Sequence, residues 1–399
     1  MQDSTAARPP VQASPGPVVF DVRCLWRCLA AVPDRRHRRG KRYALPLLLL
    51  LMVLAKLSGQ DRPSGIADWV AHRRDQLAPL LGLPLARAPH HNTYRRLLAQ
   101  AVAPEELDAA VSAFFREWPQ VGRSVLVSID GKRVKGTVDA EDPHGTHLLA
   151  AYLPQEGIVL LQVAAGHKRN EIGVAPTLVQ ALDLRGKIVT ADALHTQRAL
   201  SVQILAAGGE YVWQVKENQP TLRADIAELF TADPRTVEGG QVRHECRTAR
   251  RVTKGHGRRE VRQITVSTEL RGYSDWPGLE QVFRLERERI EPKRGKHTRE
   301  VVYGLTSLTP AEASPARLLV LTRAYWGIEN GLHYRRDVTF HEDGTRLTQG
   351  HAGHVMATLN NLVLGLLRLA GFTNLAAARR YCDATLLNAL ALLAPASRT

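Results

Sequence analysis

The amino-acid sequence predicts a mixed α/β protein with a helical N-terminal domain, a core of strands and helices, and a β-rich insertion. Three observations lead to this class. Apolar residues recur at helical spacing through residues 20–118. From residue 123 onward, short apolar runs alternate with helical segments in the order βββαβαβ. Two stretches of β-branched alternation, Gln241–Glu269 and Val282–Leu308, each broken by glycines and basic residues, then indicate a basic β-rich insertion before a last group of helices.

The N-terminal part divides into two regions. Residues 1–19 are rich in Pro, Ala and Ser, which predicts disorder. Residues 20–118 follow as the helical domain. Its most apolar run, Ala44–Ala55, is shorter than the roughly 20 residues that span a bilayer, so it predicts a buried core helix. Neither a membrane partner nor a secretory signal is indicated, and we expect a cytoplasmic, nucleoid-associated protein.

The middle of the chain carries the strands of the predicted core, which we place at 119–220 and 306–372, with 221–305 as the insertion and 373–399 as a C-terminal helix. A ribonuclease-H-like core has this order of elements. The predicted strands are Ser124–Asp130, His147–Leu153, Ile158–Ala164, Lys187–Asp192 and Glu210–Val215, with helices at Ile172–Leu184 and His195–Ala207.

Three acidic residues fall where such a core would bind metal ions. Asp130 and Asp192 each end an apolar strand, and Glu329 lies on a late helix that begins at Ser314 and Pro315. One acid at a strand end is weak evidence, and a lone helical glutamate is more often an exposed ion-pair residue. The three together supply the hard oxygen ligands that two Mg²⁺ or Mn²⁺ ions need for phosphodiester chemistry.

The charge balance points to a polyanionic partner. The chain has 54 Lys+Arg against 39 Asp+Glu, a formal net charge of +15, which favours nucleic acid. Its 4 cysteines are too scattered for a disulfide framework, and Cys24 and Cys28 are expected to be buried thiols in a reducing compartment. The side chains that we expect to contact phosphates are Lys132, Arg133, Lys168, Lys216, Asn218 and Arg336.

Five motifs carry a resemblance to a known family. They are SIDGK at Ser128–Lys132, HKRNEI at His167–Ile172, TADALHTQ at Thr190–Gln197, WQVKENQP at Trp213–Pro220, and the run WGIENGLHYRRDVTFHED from Trp326. Together they resemble the transposases of bacterial insertion sequences, in the group related to H-repeat-associated proteins.

The resemblance implies a DDE transposase in which Asp130, Asp192 and Glu329 are the catalytic, metal-binding triad. It also implies that the helical N-terminal region takes part in recognising the element's ends, that double-stranded DNA is the partner, and that a homodimer acts on it. The chain departs from the wider class at Tyr325, where many members place an arginine, and Arg323 is the candidate for that role.

Three functions stay open at this point. The leading hypothesis is a transposase that cuts phosphodiesters at its element's ends and joins the 3′-hydroxyls to target DNA. The second is a repurposed relic that binds DNA without cutting it. The third is a structure-specific nuclease of the same fold that does not join strands.

Overall fold

The computed structural model describes residues 23–82, 85–166, 171–231, 246–255 and 257–393. The N-terminus predicted to be disordered, and Lys168, lie outside them. The chain divides into two compact units. The helical unit is drawn from Met1–Arg123, Gly131–Lys168 and Asn330–Thr399, and the sheet unit from Ser124–Asp130 and Arg169–Glu329.

The helical unit contains two groups of helices, one that precedes the sheet unit along the chain and one that follows it. Before it come α1 to α5, and after it α11 to α14. Their bounds are Arg23–Ala30 (α1), Leu45–Leu57 (α2), Pro63–Leu81 (α3), His91–Arg96 (α4), Pro104–Arg116 (α5), Tyr334–Val338 (α11), Ala352–Leu369 (α12), Leu375–Ala384 (α13) and Leu386–Ala391 (α14).

The core of the helical unit forms around α2 and α12. Nearly every residue of α2 is buried, as is most of α12, and the two helices pack together. A helix that is apolar on all sides needs such complete coverage, so the prediction of a core helix over Ala44–Ala55 is confirmed. Among the described helices, none is both long and apolar enough to cross a membrane.

Two strands also belong to the helical unit. Strands β2 (His147–Leu153) and β3 (Ile158–Ala164) form an antiparallel hairpin with the predicted bounds. β3 packs against α5 and α12, which explains why the hairpin groups with the helices.

The sheet unit is built on parallel strands extended by an antiparallel ribbon. Its strands lie in the order β1-β4-β5-β9-β8-β7-β6, where β1–β4 and β4–β5 are parallel and the other pairs antiparallel. Their bounds are Leu126–Arg133 (β1, in this unit up to Asp130), Ile188–Ala191 (β4), Glu210–Val215 (β5), Arg247–Gly255 (β6), Arg258–Ser267 (β7), Gln281–Glu291 (β8) and Lys296–Thr306 (β9).

Helices cover this sheet on both faces. They are α6 (Glu171–Gln180), α7 (Arg198–Ala206), α8 (Pro220–Thr231), α9 (Pro315–Ala324) and the short α10 (Trp326–Ile328). The start of α9 was predicted correctly, because Ser314 caps it by accepting a hydrogen bond from the Arg317 backbone N–H. Apolar residues of α9 pack on β6 and β7, and α8 packs on β8 and β9.

Three local predictions need correction. β1 continues through Lys132 to Arg133 instead of ending at Asp130. The predicted C-terminal helix is broken into α13 and α14, because Thr385 adopts an extended backbone and caps α14. The helix predicted through Glu329 changes there to a π-helical turn, Glu329–His333. A π turn holds more residues than an α turn, so Arg336 does not return to the face of Glu329.

Candidate active site

Asp130 and Asp192 come from neighbouring parallel strands. In the register of β1 with β4, Ile129 lies beside Ala191, so each acid is the next residue along its own strand. One step earlier the hydroxyl oxygens of Ser128 and Thr190 are 3.0 Å apart and both side chains are buried. This buried contact fixes the register, and the parallel pairing then places Asp130 and Asp192 beside each other, directly after the paired residues Ile129 and Ala191.

The turn that carries Asp192 is held by the segment after β5. Asp192 caps a short 3₁₀ turn, Ala193–His195, by accepting a hydrogen bond from the Ala193 N–H. Asn218 Nδ2 donates to the Ala193 carbonyl oxygen at 2.6 Å, and Gln219 Nε2 donates to the Thr196 carbonyl oxygen at 3.0 Å. Side chains from the WQVKENQP motif therefore fix the position of Asp192.

Glu329, which directly follows α10, is the third acid of the candidate site. It is exposed, at the first position of the π-helical turn. Carboxylate oxygens of Asp130 and Glu329 lie within 4.8 Å of one another. In the described part of the chain Asp192 does not belong to this close group. Its side chain is half-exposed and Lys216 Nζ lies 3.9 Å from Oδ1.

Tyr325 is a partly buried phenol near the three candidate acids. Burial raises the pKa of the Tyr325 phenol, and the negative charges of Asp130, Asp192 and Glu329 raise it further, as does that of Glu171. A phenolate would be repelled by each of these carboxylates, so the hydroxyl stays protonated at neutral pH. The Tyr325 hydroxyl is therefore a neutral hydrogen-bonding group.

A buried polar pair lies behind the Asp192 turn. Glu171, at the start of α6, places Oε2 3.2 Å from Nε2 of His195, the last residue of the 3₁₀ turn. Both side chains are almost completely buried. The pair connects α6 to the turn that Asp192 caps.

The donor set fits divalent cations. Asp130, Asp192 and Glu329 offer only carboxylate oxygens, which are the ligands that Mg²⁺ and Mn²⁺ prefer. The close approach of Asp130 to Glu329 brings two carboxylates within reach of one ion, so the two residues form a candidate metal site.

The predicted DNA contacts separate into three groups. Arg133, Lys216, Asn218 and Arg323 are exposed, although Asn218 is also bonded to the Asp192 turn. Lys168 lies outside the described residues. Lys132 and Arg336 are buried.

Burial corrects the interpretation of those last two residues. Arg336 has no exposed surface and its guanidinium binds Glu342 through Nε at 2.8 Å and Nη2 at 2.8 Å. Lys132 Nζ lies 2.6 Å from Asp337 and 3.5 Å from Asp343. Both cations are neutralised inside the helical unit, so neither reaches a phosphate in this conformation.

Sequence reasoning missed the residues that hold the site together. Glu171, His195 and Gln219 lie in the quoted motifs HKRNEI, TADALHTQ and WQVKENQP, but their roles require a tertiary partner. Their presence in those motifs was the only signal in the sequence.

Two family models match the chain. The one described as "Transposase DDE domain" matches residues 122–366, which is more than half of it. The chain belongs to the DDE transposase family. The one described as "DDE_Tnp_1-associated" matches residues 26–115, within the predicted helical domain of this transposase.

Individual relatives agree with that assignment. The "H repeat-associated putative transposase YhhI" of Escherichia coli K12 is 26% identical over 359 residues, which cover 87% of this chain and 91% of the relative. The "Uncharacterized protein in dhlA 3'region" of Xanthobacter autotrophicus is 33% identical over 268 residues, which cover 65% of this chain and 86% of the relative. The resemblance to the H-repeat group is thereby confirmed.

A solved structure also aligns with this chain at low sequence identity. A cryo-EM structure of the piggyBac transposase synaptic complex with hairpin DNA aligns over 92% of this chain and 80% of that chain, with a TM-score of 0.39 and 10% sequence identity.

Proposed function

We propose that this transposase hydrolyses phosphodiesters at the ends of an insertion sequence and joins the resulting 3′-hydroxyls to target DNA. The proposal is supported by the register that places Asp130 and Asp192 directly after paired residues of β1 and β4, and by the carboxylate oxygens of Asp130 and Glu329, which lie within 4.8 Å of one another. A ribonuclease-H-like core is the fold to which we assign β1, β2, β3, β4 and β5. Double-stranded DNA is the proposed partner, in the nucleoid, with a homodimer holding two ends.

The residues of the candidate site have different roles in this proposal. Asp130, Asp192 and Glu329 would hold two Mg²⁺ or Mn²⁺ ions, and Asn218 and Gln219 keep the Asp192 turn in place. Bound ions of this kind activate the attacking oxygen and stabilise charge on the leaving oxygen. Tyr325, which stays protonated, can donate a hydrogen bond to a phosphate oxygen. Lys216 and Arg323 are exposed cations suited to hold the strand.

The test is strand transfer by purified protein on labelled element-end DNA, with Mg²⁺ or Mn²⁺ compared with Ca²⁺. We expect joined products from the wild type, and none from Asp130→Ala or Asp192→Asn. Full cleavage and joining by Asp192→Asn would refute the role of that residue.

The same assay separates the other two hypotheses. Tight DNA binding without a cut by the wild type would support the repurposed relic. Specific, metal-dependent cleavage without joined products would support the nuclease.

A further inference from the structure

A row of three arginines crosses the ribbon of the sheet unit. In the register of the ribbon, Arg251 on β6 lies opposite Arg262 on β7, and Arg262 lies opposite Arg287 on β8. Directly opposed residues of antiparallel strands point to the same face. Since neighbouring strands are about 4.8 Å apart, the three side chains start from points spread over roughly 10 Å. We call these residues the arginine row.

The arginine row lies on the face that α9 covers. On β7, Arg262 alternates with Ile264, which is buried in the apolar cluster that packs against Leu318 and Leu319 of α9. The arginine row therefore lies two residues along β7 from that apolar contact, on the same face of the ribbon. It lies beside the helical segment that leads to Glu329.

That helical segment adds a fourth cation and an aromatic ring. Burial lowers the pKa of the Arg262 guanidinium, and the charge of Arg323 on α9 lowers it further, with Arg287 and Arg251 adding to the effect. The Arg287 guanidinium lies 5.7 Å from the ring centre of Trp326 on α10, a cation–π contact that fixes its position.

Carboxylates neutralise only part of this charge. Glu260 contacts Arg262 at 2.9 Å, and Glu300 at the end of the row approaches Arg287 at 3.5 Å. Within the described residues, Arg251 and Arg323 have no ion pair. The other face of the ribbon differs, because Glu286 there contacts both Arg284 and Arg299.

Such a row costs the folded protein free energy unless an anion binds it. Like charges directly opposite one another on a sheet are destabilising. Guanidinium groups present a fork of donors that matches phosphate oxygens. A line of guanidiniums fits the regularly spaced phosphates of a nucleic-acid strand better than it fits one compact anion.

We propose that the arginine row, Arg251, Arg262 and Arg287, together with Arg323, binds the phosphodiester backbone of DNA that enters the triad. This site rests on the proposed function for the identity of its ligand. The protein surface proposed to bind DNA thereby extends from the triad onto the inserted ribbon.

The test measures DNA binding separately from catalysis. The parent protein is the Asp130→Ala variant, in which DNA cleavage is not expected to complicate the binding measurement. The test variant adds Arg251→Gln and Arg323→Gln, which remove the two cations of the proposed site that have no ion pair within the described residues. The control adds Arg299→Gln, which removes an exposed arginine from the opposite face of the same ribbon. Fluorescence anisotropy of a short labelled DNA duplex gives Kd between about 50 and 200 mM salt.

We expect the test variant to bind DNA about tenfold more weakly than the parent at intermediate salt, and its salt slope to be smaller by about 2, since each lost phosphate contact removes about 0.9. The control should stay within about twofold of the parent. Unchanged affinity and slope in the test variant, or an equal loss in the control, would overturn the proposal.

Two further readouts identify the ligand and exclude a structural role. An RNA duplex of equal length and ATP serve as competitors, and row-dependent binding of RNA or ATP but not of DNA would also overturn the assignment. The test variant should melt at or above the parent's temperature, because like-charge repulsion is relieved. A lower melting temperature with unchanged DNA affinity would show that the row is structural.

A failure of the arginine row and a failure of the proposed function give different results. If the wild type neither cuts nor joins DNA while the row dependence holds, only the proposed function fails. If cleavage and joining are found but the salt slope does not change, only the row fails.

Discussion

Glu171 and His195 form a buried pair, 3.2 Å apart, that connects the start of α6 to the turn capped by Asp192. We expect Glu171→Gln to lower the free energy of unfolding by about 1–3 kcal/mol, because a buried bond to His195 is weakened or lost. Strand transfer should fall as well, since the Asp192 turn loses a support. Chemical denaturation and single-turnover strand transfer measure the two effects.

The matched control is the exposed pair of Arg185 with Asp183, where Arg185→Gln should change neither quantity measurably. A double variant, Glu171→Gln with His195→Asn, should lose less than the sum of the single losses. Simple additivity would show that the two side chains do not act as a pair.

Asn218 has a positioning role that can be separated from DNA binding. Asn218→Ala removes the 2.6 Å hydrogen bond to the Ala193 carbonyl oxygen, so we expect single-turnover cleavage to slow by about fivefold, the equivalent of roughly 1 kcal/mol. Affinity for DNA should change less than the rate. Asn388→Ala is the control, because Asn388 Nδ2 makes a similar 2.7 Å bond to the Tyr381 carbonyl oxygen in the helical unit. Equal slowing in both variants would contradict the role of Asn218.

Gly304 is required by close packing inside the sheet unit. A Cβ at this position would lie 2.2 Å from the Phe283 ring and 2.3 Å from the Trp213 carbonyl oxygen. Gly304→Ala should therefore lower the free energy of unfolding by about 2 kcal/mol or more, since a backbone atom cannot move aside cheaply. Gly173→Ala in α6 meets open space and should instead stabilise the protein by about 0.5–1 kcal/mol. Chemical denaturation of both variants checks the pair, and a stable Gly304→Ala would contradict the packing.

Asp108 should make stability depend on pH. Burial raises the pKa of this carboxyl above its ordinary value of 3.8, although hydrogen bonds from His354, Thr358 and Gln162 oppose the shift. The folded state then keeps a proton that the unfolded state has already lost. The contribution of Asp108 to stability is consequently greatest below about pH 4 and falls as pH rises toward the folded-state pKa.

The measurement is the unfolding free energy of wild type minus that of Asp108→Asn, followed from about pH 4 to 7. Taking the difference cancels groups that titrate alike in both proteins. We expect the difference to decrease with rising pH. An increase would mean that the hydrogen bonds outweigh burial and that the pKa is lowered.

Much of the fold could be predicted because its signals are local. The hairpin of β2 and β3 has the predicted bounds, since apolar runs and the turn at Pro154–Gly157 lie within one stretch of sequence. The cap of α9 was equally readable from Ser314 and Pro315. The three candidate acids could be named from equally local signals, because each one follows or lies within a recognisable element, and their joint role stays a prediction.

The errors concern residues whose environment is set by distant parts of the chain. Arg336 looked like a phosphate ligand because the sequence does not show that Asn360 and Arg336 both bind the Glu342 carboxylate in a buried cluster. The π turn depends on packing too, since a Cβ on Gly331 would lie 2.4 Å from the Tyr152 hydroxyl. The arginine row depends on strand register, which the basic composition of the insertion does not reveal.

We propose that Asp130, Asp192 and Glu329 hold the catalytic metal ions. The most direct measurement is strand transfer by Asp130→Cys in Mg²⁺ and in Mn²⁺, with Asp130→Ala beside it. A thiolate is a poor ligand for Mg²⁺ and a better one for the softer Mn²⁺. We expect Asp130→Cys to be inactive in Mg²⁺ and to regain joined products in Mn²⁺, while Asp130→Ala stays inactive in both. Equal activity of Asp130→Cys in the two metals, or wild-type activity of Asp130→Ala, would contradict the account.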